Sequence, residues 1–208
     1  MFASAVVFTA ISVAALVWAE VNGPTGHRLL KMLASSGFIW VAVSVGPFGN
    51  AYGRAVIAAL VLSWIGDLLL TFPARAAFVG GLVSFLLGHV AYSIAFGILG
   101  VNPAVAAIVA LGLAVVAWLL WRWLAPHVGD MRGPVVAYVV VITIMVVAAV
   151  GAFGAGATAL LPIGASLFYA SDIAVARNRF VAPGPVNRLV GLPLYYLAQV
   201  LLASTAGC

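Results

Sequence analysis

The chain has 208 residues, of which 66% are hydrophobic and only 6% charged, against roughly 25% charged residues in a soluble domain. Together with a mean hydropathy of +1.26, this excludes an ordinary water-soluble domain and predicts one integral membrane domain over residues 1–208. The net charge of +5 comes from scattered Lys and Arg with no basic run interleaved with aromatics, which argues against a nucleic-acid partner.

Spanning helices need about 20 mostly apolar residues. Splitting the chain at Gly, Pro, Asn and Arg clusters predicts eight, at 2–19, 29–46, 53–71, 76–98, 103–124, 134–151, 157–176 and 188–205. The fold class is therefore all-α and polytopic. The first helix has no Lys or Arg before it and no clear cleavage site, so it is expected to be retained. The one cysteine, Cys208, leaves neither an internal disulfide nor a thiolate cluster.

Orientation follows from the basic residues of the short loops. Arg28, Lys31, Arg75, Arg122, Arg132, Arg177, Arg179 and Arg188 fall at the 1–2, 3–4, 5–6 and 7–8 connections, and only Arg54 on the other side. Both termini are expected on the non-cytoplasmic side. The Ala/Val/Gly-rich composition suggests a bacterial inner membrane.

Two acids fall inside these helices, Asp67 in SWIGDLLLT and Asp172 in FYASDIAVA. A carboxylate within a spanning helix costs roughly 2.5–3.5 kcal/mol on insertion scales, which marks both as functional candidates. Each is expected about four residues, on the order of 6 Å, from the cytoplasmic helix end. Ser63 and Thr71 lie four residues either side of Asp67 and predict a polar stripe. Glu20 and Asp130 are expected in loops.

A weak repeat links the two acids, because GLVSFLLGHV (81–90) and GLPLYYLAQV (191–200) align without gaps, matching Phe85 with Tyr195 and His89 with Gln199. Two four-helix halves related by a pseudo-two-fold axis along the membrane normal would bring Asp67 and Asp172 face to face.

The other polar residues expected inside helices are Lys31, His89, Tyr92, Tyr138, Tyr195, Tyr196 and Gln199. Gly81, Ser84 and Gly88 supply a small face on the fourth helix for close approach. Each polar residue also has a plainer reading: Lys31 as a snorkelling anchor, the tyrosines as interfacial belt, His89 as an interhelical bond. His89 with the two acids is a conceivable metal set, but no HExxH-like pattern or His-rich helix is present, so no metal or cofactor is expected.

Lys31, GDLLL (66–70), FLLGHVAY (85–92), Tyr138 with Met145, SDIAVARNRF (171–180) and YYLAQ (195–199) occur in an order that resembles the YhhN-like family of multispanning membrane proteins. The likeness covers the second to eighth helices. Met32 departs from it, standing where the family often has proline. The resemblance implies a lysoplasmalogenase, a hydrolase that cleaves the vinyl ether bond of a lysoplasmalogen to a fatty aldehyde and a glycerophospho-base. Its implied catalytic residues are Asp67 and Asp172, with Lys31, His89, Tyr92, Tyr138, Tyr195, Tyr196 and Gln199 around the substrate. The implied partners are a lysophospholipid and the bilayer.

The chemistry agrees with the residues. Proton transfer to carbon gives an oxocarbenium ion that water captures, as in glycosidases that use paired carboxyls. Two acids buried together favour one protonated and one ionised. The sequence leaves open which is which. The main rival reading is a proton-coupled transporter, since intramembrane acids also carry protons; a structural or lipid-binding role, with the acids only paired to basic residues, is the third.

Overall fold

The computed structural model describes residues 1–23 and 27–208; residues 24–26, in the expected first connection, lie outside the described part. The chain forms α1 (Phe2–Asn22), α2 (His27–Ser44), α3 (Ala51–Leu69), α4 (Arg75–Ile98), α5 (Pro103–Leu124), α6 (Arg132–Gly154), α7 (Leu160–Ala176) and α8 (Pro185–Ser204). Single 3₁₀ turns at Pro47–Gly49 and Gly129–Met131 precede α3 and α6, and a π-helical turn, Arg177–Val181, extends α7. No strand occurs among the described residues.

Local chemistry fixes several ends. Asn50 caps α3 by accepting from the Gly53 amide at 2.6 Å, and its Nδ2 donates to the Cys208 carbonyl, tying the start of α3 to the C-terminus. Asn102 caps α5 through the Ala104 and Val105 amides, with Pro103 at the first helical position. Gly100, at φ 88°, takes the left-handed turn that ends α4.

Seven of the helical segments are long and apolar enough to cross a membrane; α2 is the exception, carrying Arg28, Lys31, Ser35 and Ser36 in its 18 residues. Polarity runs inside out. Ser35, Asp67, His89 and Gln199 are buried, while Ile108, Leu111, Val115 and Leu119 of α5 are exposed. That distribution suits a lipid surround, where the apolar outer face needs no cover and polar groups must find partners inside.

α3 packs closely on α4, and α7 on α8; α1 lies on α2 and α8, and α5 chiefly on α6. The small face of α4 permits the first contact. Gly88 meets the Ala59 carbonyl, and Ser84 donates to the Leu62 carbonyl at 2.6 Å. Gly66 of α3 leaves room for the Phe85 ring, which a Cβ there would meet at 2.6 Å.

The connections rich in Lys and Arg share one end of the bundle. Arg28 donates to the Thr71 carbonyl, Arg75 faces Asp130 at 3.9 Å, Arg179 covers the Phe78 ring at 4.2 Å, and Arg188 faces Glu20 at 3.3 Å. Arg54 lies apart from them, on the Phe48 carbonyl.

Three expectations need correction. Glu20 is not in a loop: α1 continues to Asn22, and its carboxylate is enclosed between His27 Nδ1 at 2.9 Å and Arg188 Nε at 3.3 Å. Thr71 does not extend the polar stripe, because α3 ends at Leu69 and the Thr71 hydroxyl bonds the Leu68 carbonyl, while Ser63 is buried on α3 with Asp67 but bonds the Ala59 carbonyl of its own helix. The equal spacing of the two acids from their helix ends is lost, since α3 stops at Leu69 whereas the helical path of α7 runs on to Val181.

Candidate active site

Asp67 lies in the last turn of α3, buried, with both carboxyl oxygens engaged. Oδ2 accepts from Ser35 Oγ at 2.7 Å and from the Tyr195 hydroxyl at 2.6 Å, and Oδ1 lies 3.2 Å from Lys31 Nζ. Lys31 and Ser35 are one turn apart on α2, so one face of that helix supplies both. Behind Tyr195 the network continues: Gln199 Nε2 donates to its hydroxyl at 3.2 Å, and the Tyr92 hydroxyl donates to Gln199 Oε1 at 2.6 Å. The Tyr196 hydroxyl lies 3.1 Å from Ser35 Oγ and also reaches the Lys31 carbonyl.

Asp172, on α7, has different company. Its Oδ2 accepts from the Tyr138 hydroxyl at 2.7 Å and lies 3.6 Å from His89 Nε2. No Lys or Arg pairs with it among the described residues. The His89 ring is wedged between Phe168 and Tyr138, at centroid distances of 4.5 and 5.2 Å, and neither ring nitrogen has a hydrogen-bond partner among the described residues. The Asp172 side chain is 17% exposed against 3% for Asp67, so it presents more of its carboxyl to the space between the helices.

That space is a single cavity lined by Lys31, Asp67, Tyr138, Asp172 and Tyr195. Its walls are apolar, including Leu120 and Leu124 of α5 and Val139 and Ile142 of α6, and Asn178, Arg179, Asn187 and Arg188 stand among its lining residues. The combination of an apolar cavity with a few convergent polar groups is that of a small-molecule site.

Of the nine residues singled out in the sequence, five therefore line the cavity and four do not. His89, Tyr92, Tyr196 and Gln199 are buried outside its lining: Tyr92 bonds Gln199 and Gln199 bonds Tyr195, Tyr196 bonds Ser35, and His89 packs beside Asp172. The conceivable metal set of His89 with both acids does not come together: among the described residues no three His, Cys, Asp or Glu side chains are grouped to hold one ion. Sequence reasoning missed Ser35, one turn after Lys31 on the same face of α2. It also missed the Asn178 and Asn187 pair, which carries no periodic signal.

Comparison with known proteins agrees with this architecture. The model of the YhhN family matches residues 26–206. A human protein named lysoplasmalogenase TMEM86B is 33% identical over 179 residues, spanning 86% of this chain and 73% of that protein. A lysoplasmalogenase of Mycobacterium bovis is 35% identical over 197 residues, 88% of this chain and 72% of its own. The bovine lysoplasmalogenase TMEM86A is 27% identical over 212 residues, 96% and 86% respectively. No solved structure matches. With its acids, tyrosines and small α4 face carried on a polytopic helical bundle, and with the family match running over nearly its whole length, the chain belongs to the YhhN family.

Proposed function

We propose that this protein is a membrane-embedded lysoplasmalogenase that hydrolyses the vinyl ether bond of a lysophospholipid, with Asp172 as proton donor and Asp67 as resident anion. The observation that carries the assignment is the unequal company of two carboxyls on one cavity. Asp67 faces an ammonium and accepts two further hydrogen bonds, an environment that suits an ionised carboxylate. Asp172 has only the Tyr138 hydroxyl and the His89 ring beside it. The names of the relatives support the activity.

In this reading the Asp172 carboxyl gives its proton to the vinyl ether carbon β to the oxygen, the one that carries the alkyl chain, and the π pair forms the new C–H bond. The oxocarbenium ion left at the neighbouring carbon is stabilised by the Asp67 anion. Water adds to that carbon and passes a proton to the Asp172 carboxylate, which restores the acid. The hemiacetal then loses its hydroxyl proton as the C–O bond to glycerol breaks and the glycerol oxygen is protonated, releasing aldehyde and glycerophospho-base. Tyr138 and Tyr195 orient the two carboxyls, and His89, Tyr92, Tyr196 and Gln199 brace them from behind. None of these steps calls for a cofactor.

The same reading makes α2 an eighth span, because Lys31 and Ser35 turn into the bundle towards Asp67, and makes the whole chain one membrane domain. The grouping of basic connections at one end supports a cytoplasmic site with both termini outside, in the inner membrane if the source is bacterial. The two halves of the proposed repeat exchange partners: Asp67 bonds Tyr195 of α8, and Asp172 approaches His89 of α4. Offering the purified protein vinyl ether, alkyl ether and ester lysolipids tests the activity. Aldehyde from the first alone is the expected result, and fatty acid from the ester, or no product at all, contradicts it.

A further inference from the structure

Lys31 is the obvious cation for a lipid phosphate, but its ammonium is already committed to Asp67. A lysophospholipid brings its own anion to this site, because only a glycerol separates the vinyl ether from the phosphate. Whichever group meets that phosphate must therefore stand close to the two acids. Two arginines stand among the residues that line the same cavity as the acids, Arg179 and Arg188.

Both stand on a braced rim. The π-helical turn at Arg177–Val181 breaks the α-helical register directly after α7, and such turns recur at functional sites. A clasp of two asparagines holds the turn against α8. Asn178 Oδ1 accepts from the Gly184 amide at 3.0 Å and from Asn187 Nδ2 at 3.3 Å. Asn187 Nδ2 also reaches the Ala182 carbonyl at 2.7 Å, and its Oδ1 accepts from Arg177. Asn187 is buried, so the clasp is part of the packed structure rather than a surface tangle.

The clasp sets the two arginines in place. Arg179 lies over the Phe78 ring at 4.2 Å, on a residue that itself lines the cavity, and pairs with no acid among the described residues. Arg188 meets Glu20 through Nε at 3.3 Å, and its side chain is half exposed, which leaves the guanidinium accessible. Guanidinium groups suit this task, since their planar fork matches phosphate oxygens and they stack on aromatic faces.

Resting on the lysophospholipid reading above, we infer that the Asn178/Asn187-clasped rim is a phosphate subsite in which Arg179 and Arg188 hold the headgroup of the lipid whose chain occupies the apolar cavity. The rim then selects phosphate-bearing ether lipids over neutral ones and sets how deep the vinyl ether reaches towards the acids.

The test compares two vinyl ether substrates with the full-length protein, 1-alkenyl-glycerophosphoethanolamine and 1-alkenylglycerol, which lacks the phosphate. The unaltered protein is expected to prefer the phosphate-bearing lipid in kcat/KM. Arg179→Gln and Arg188→Gln each lower that preference about tenfold, mainly through KM, as loss of one exposed charge-assisted hydrogen bond implies. Arg179→Lys keeps part of the preference. An unchanged preference in both glutamine variants overturns the subsite while leaving the hydrolase reading intact. Binding is scored in parallel as the thermal shift given by the non-cleavable 1-alkyl lysophospholipid and by 1-alkylglycerol. If no vinyl ether is hydrolysed, the activity fails, yet a shift from the phospholipid that weakens in Arg179→Gln still upholds the subsite. Millimolar inorganic phosphate is the third ligand, and a shift as large as the lipid's would assign the rim to free phosphate and overturn the headgroup proposal.

Discussion

The ammonium of Lys31 lies 3.2 Å from Oδ1 of Asp67, and both side chains are largely withdrawn from the surroundings. A buried pair of this kind is weak evidence for net stability, but breaking it on one side leaves an uncompensated charge, at a cost of roughly 3–5 kcal/mol. Lys31→Met is therefore expected to lower the unfolding temperature clearly in detergent, and Lys31→Met with Asp67→Asn to recover much of the loss. A double-mutant cycle on thermal unfolding reads the coupling directly. Equal melting of Lys31→Met and the unaltered protein would show that the pair carries no such strain.

Among the described residues the Tyr138 hydroxyl is the one side-chain hydrogen-bond donor to Asp172. Tyr138→Phe keeps the ring that packs on His89 and removes only that bond. A hydrogen bond to a charged or charging group is worth about 1.5–3 kcal/mol, so kcat/KM for aldehyde release is expected to fall about ten- to hundredfold with the melting temperature little changed. Equal loss of melting temperature and rate would instead make Tyr138 a packing residue.

Gly66 and Gly97 make a matched pair of tests for the packing that positions Asp67. A Cβ at Gly66 would meet the Phe85 ring at 2.6 Å, whereas nothing lies within 4 Å of one at Gly97. Gly66→Ala is expected to destabilise by about 1–3 kcal/mol through overpacking, and Gly66→Ala with Phe85→Leu to regain part of it. Gly97→Ala, in the same kind of helix but open, is expected to be neutral or stabilising by up to about 1 kcal/mol. Chemical denaturation of the purified protein orders the three.

Much of the fold is written in the hydropathy of the sequence, because a spanning helix must be apolar over a fixed length and breaks at Gly, Pro and Asn. Every predicted helix falls within three residues of an observed one. The pairing of Lys31 with Asp67, and of Tyr138 with Asp172, was within reach for the same reason: a polar group inside such a helix has to find another. Ser35 escaped because a small hydroxyl can satisfy itself on its own helix, as Ser63 does, and nothing local tells the two cases apart. Glu20 escaped because it stands at the fraying end of an apolar run, where its burial depends on His27 and Arg188 from two other helices. The π-helical rim has no periodic signature, since it is specified by amide side chains ten or fewer residues apart that bond only once α7 and α8 have met.

The central claim is that two carboxyls on one cavity divide the work of vinyl ether hydrolysis. It is tested most directly by measuring aldehyde release from 1-alkenyl-glycerophosphoethanolamine by the purified Asp67→Asn and Asp172→Asn proteins, each first shown to melt cooperatively. Removing the proton donor is expected to cost about 10²–10⁴-fold, and removing the anion a comparable factor. Near-normal turnover by either folded variant would contradict the account.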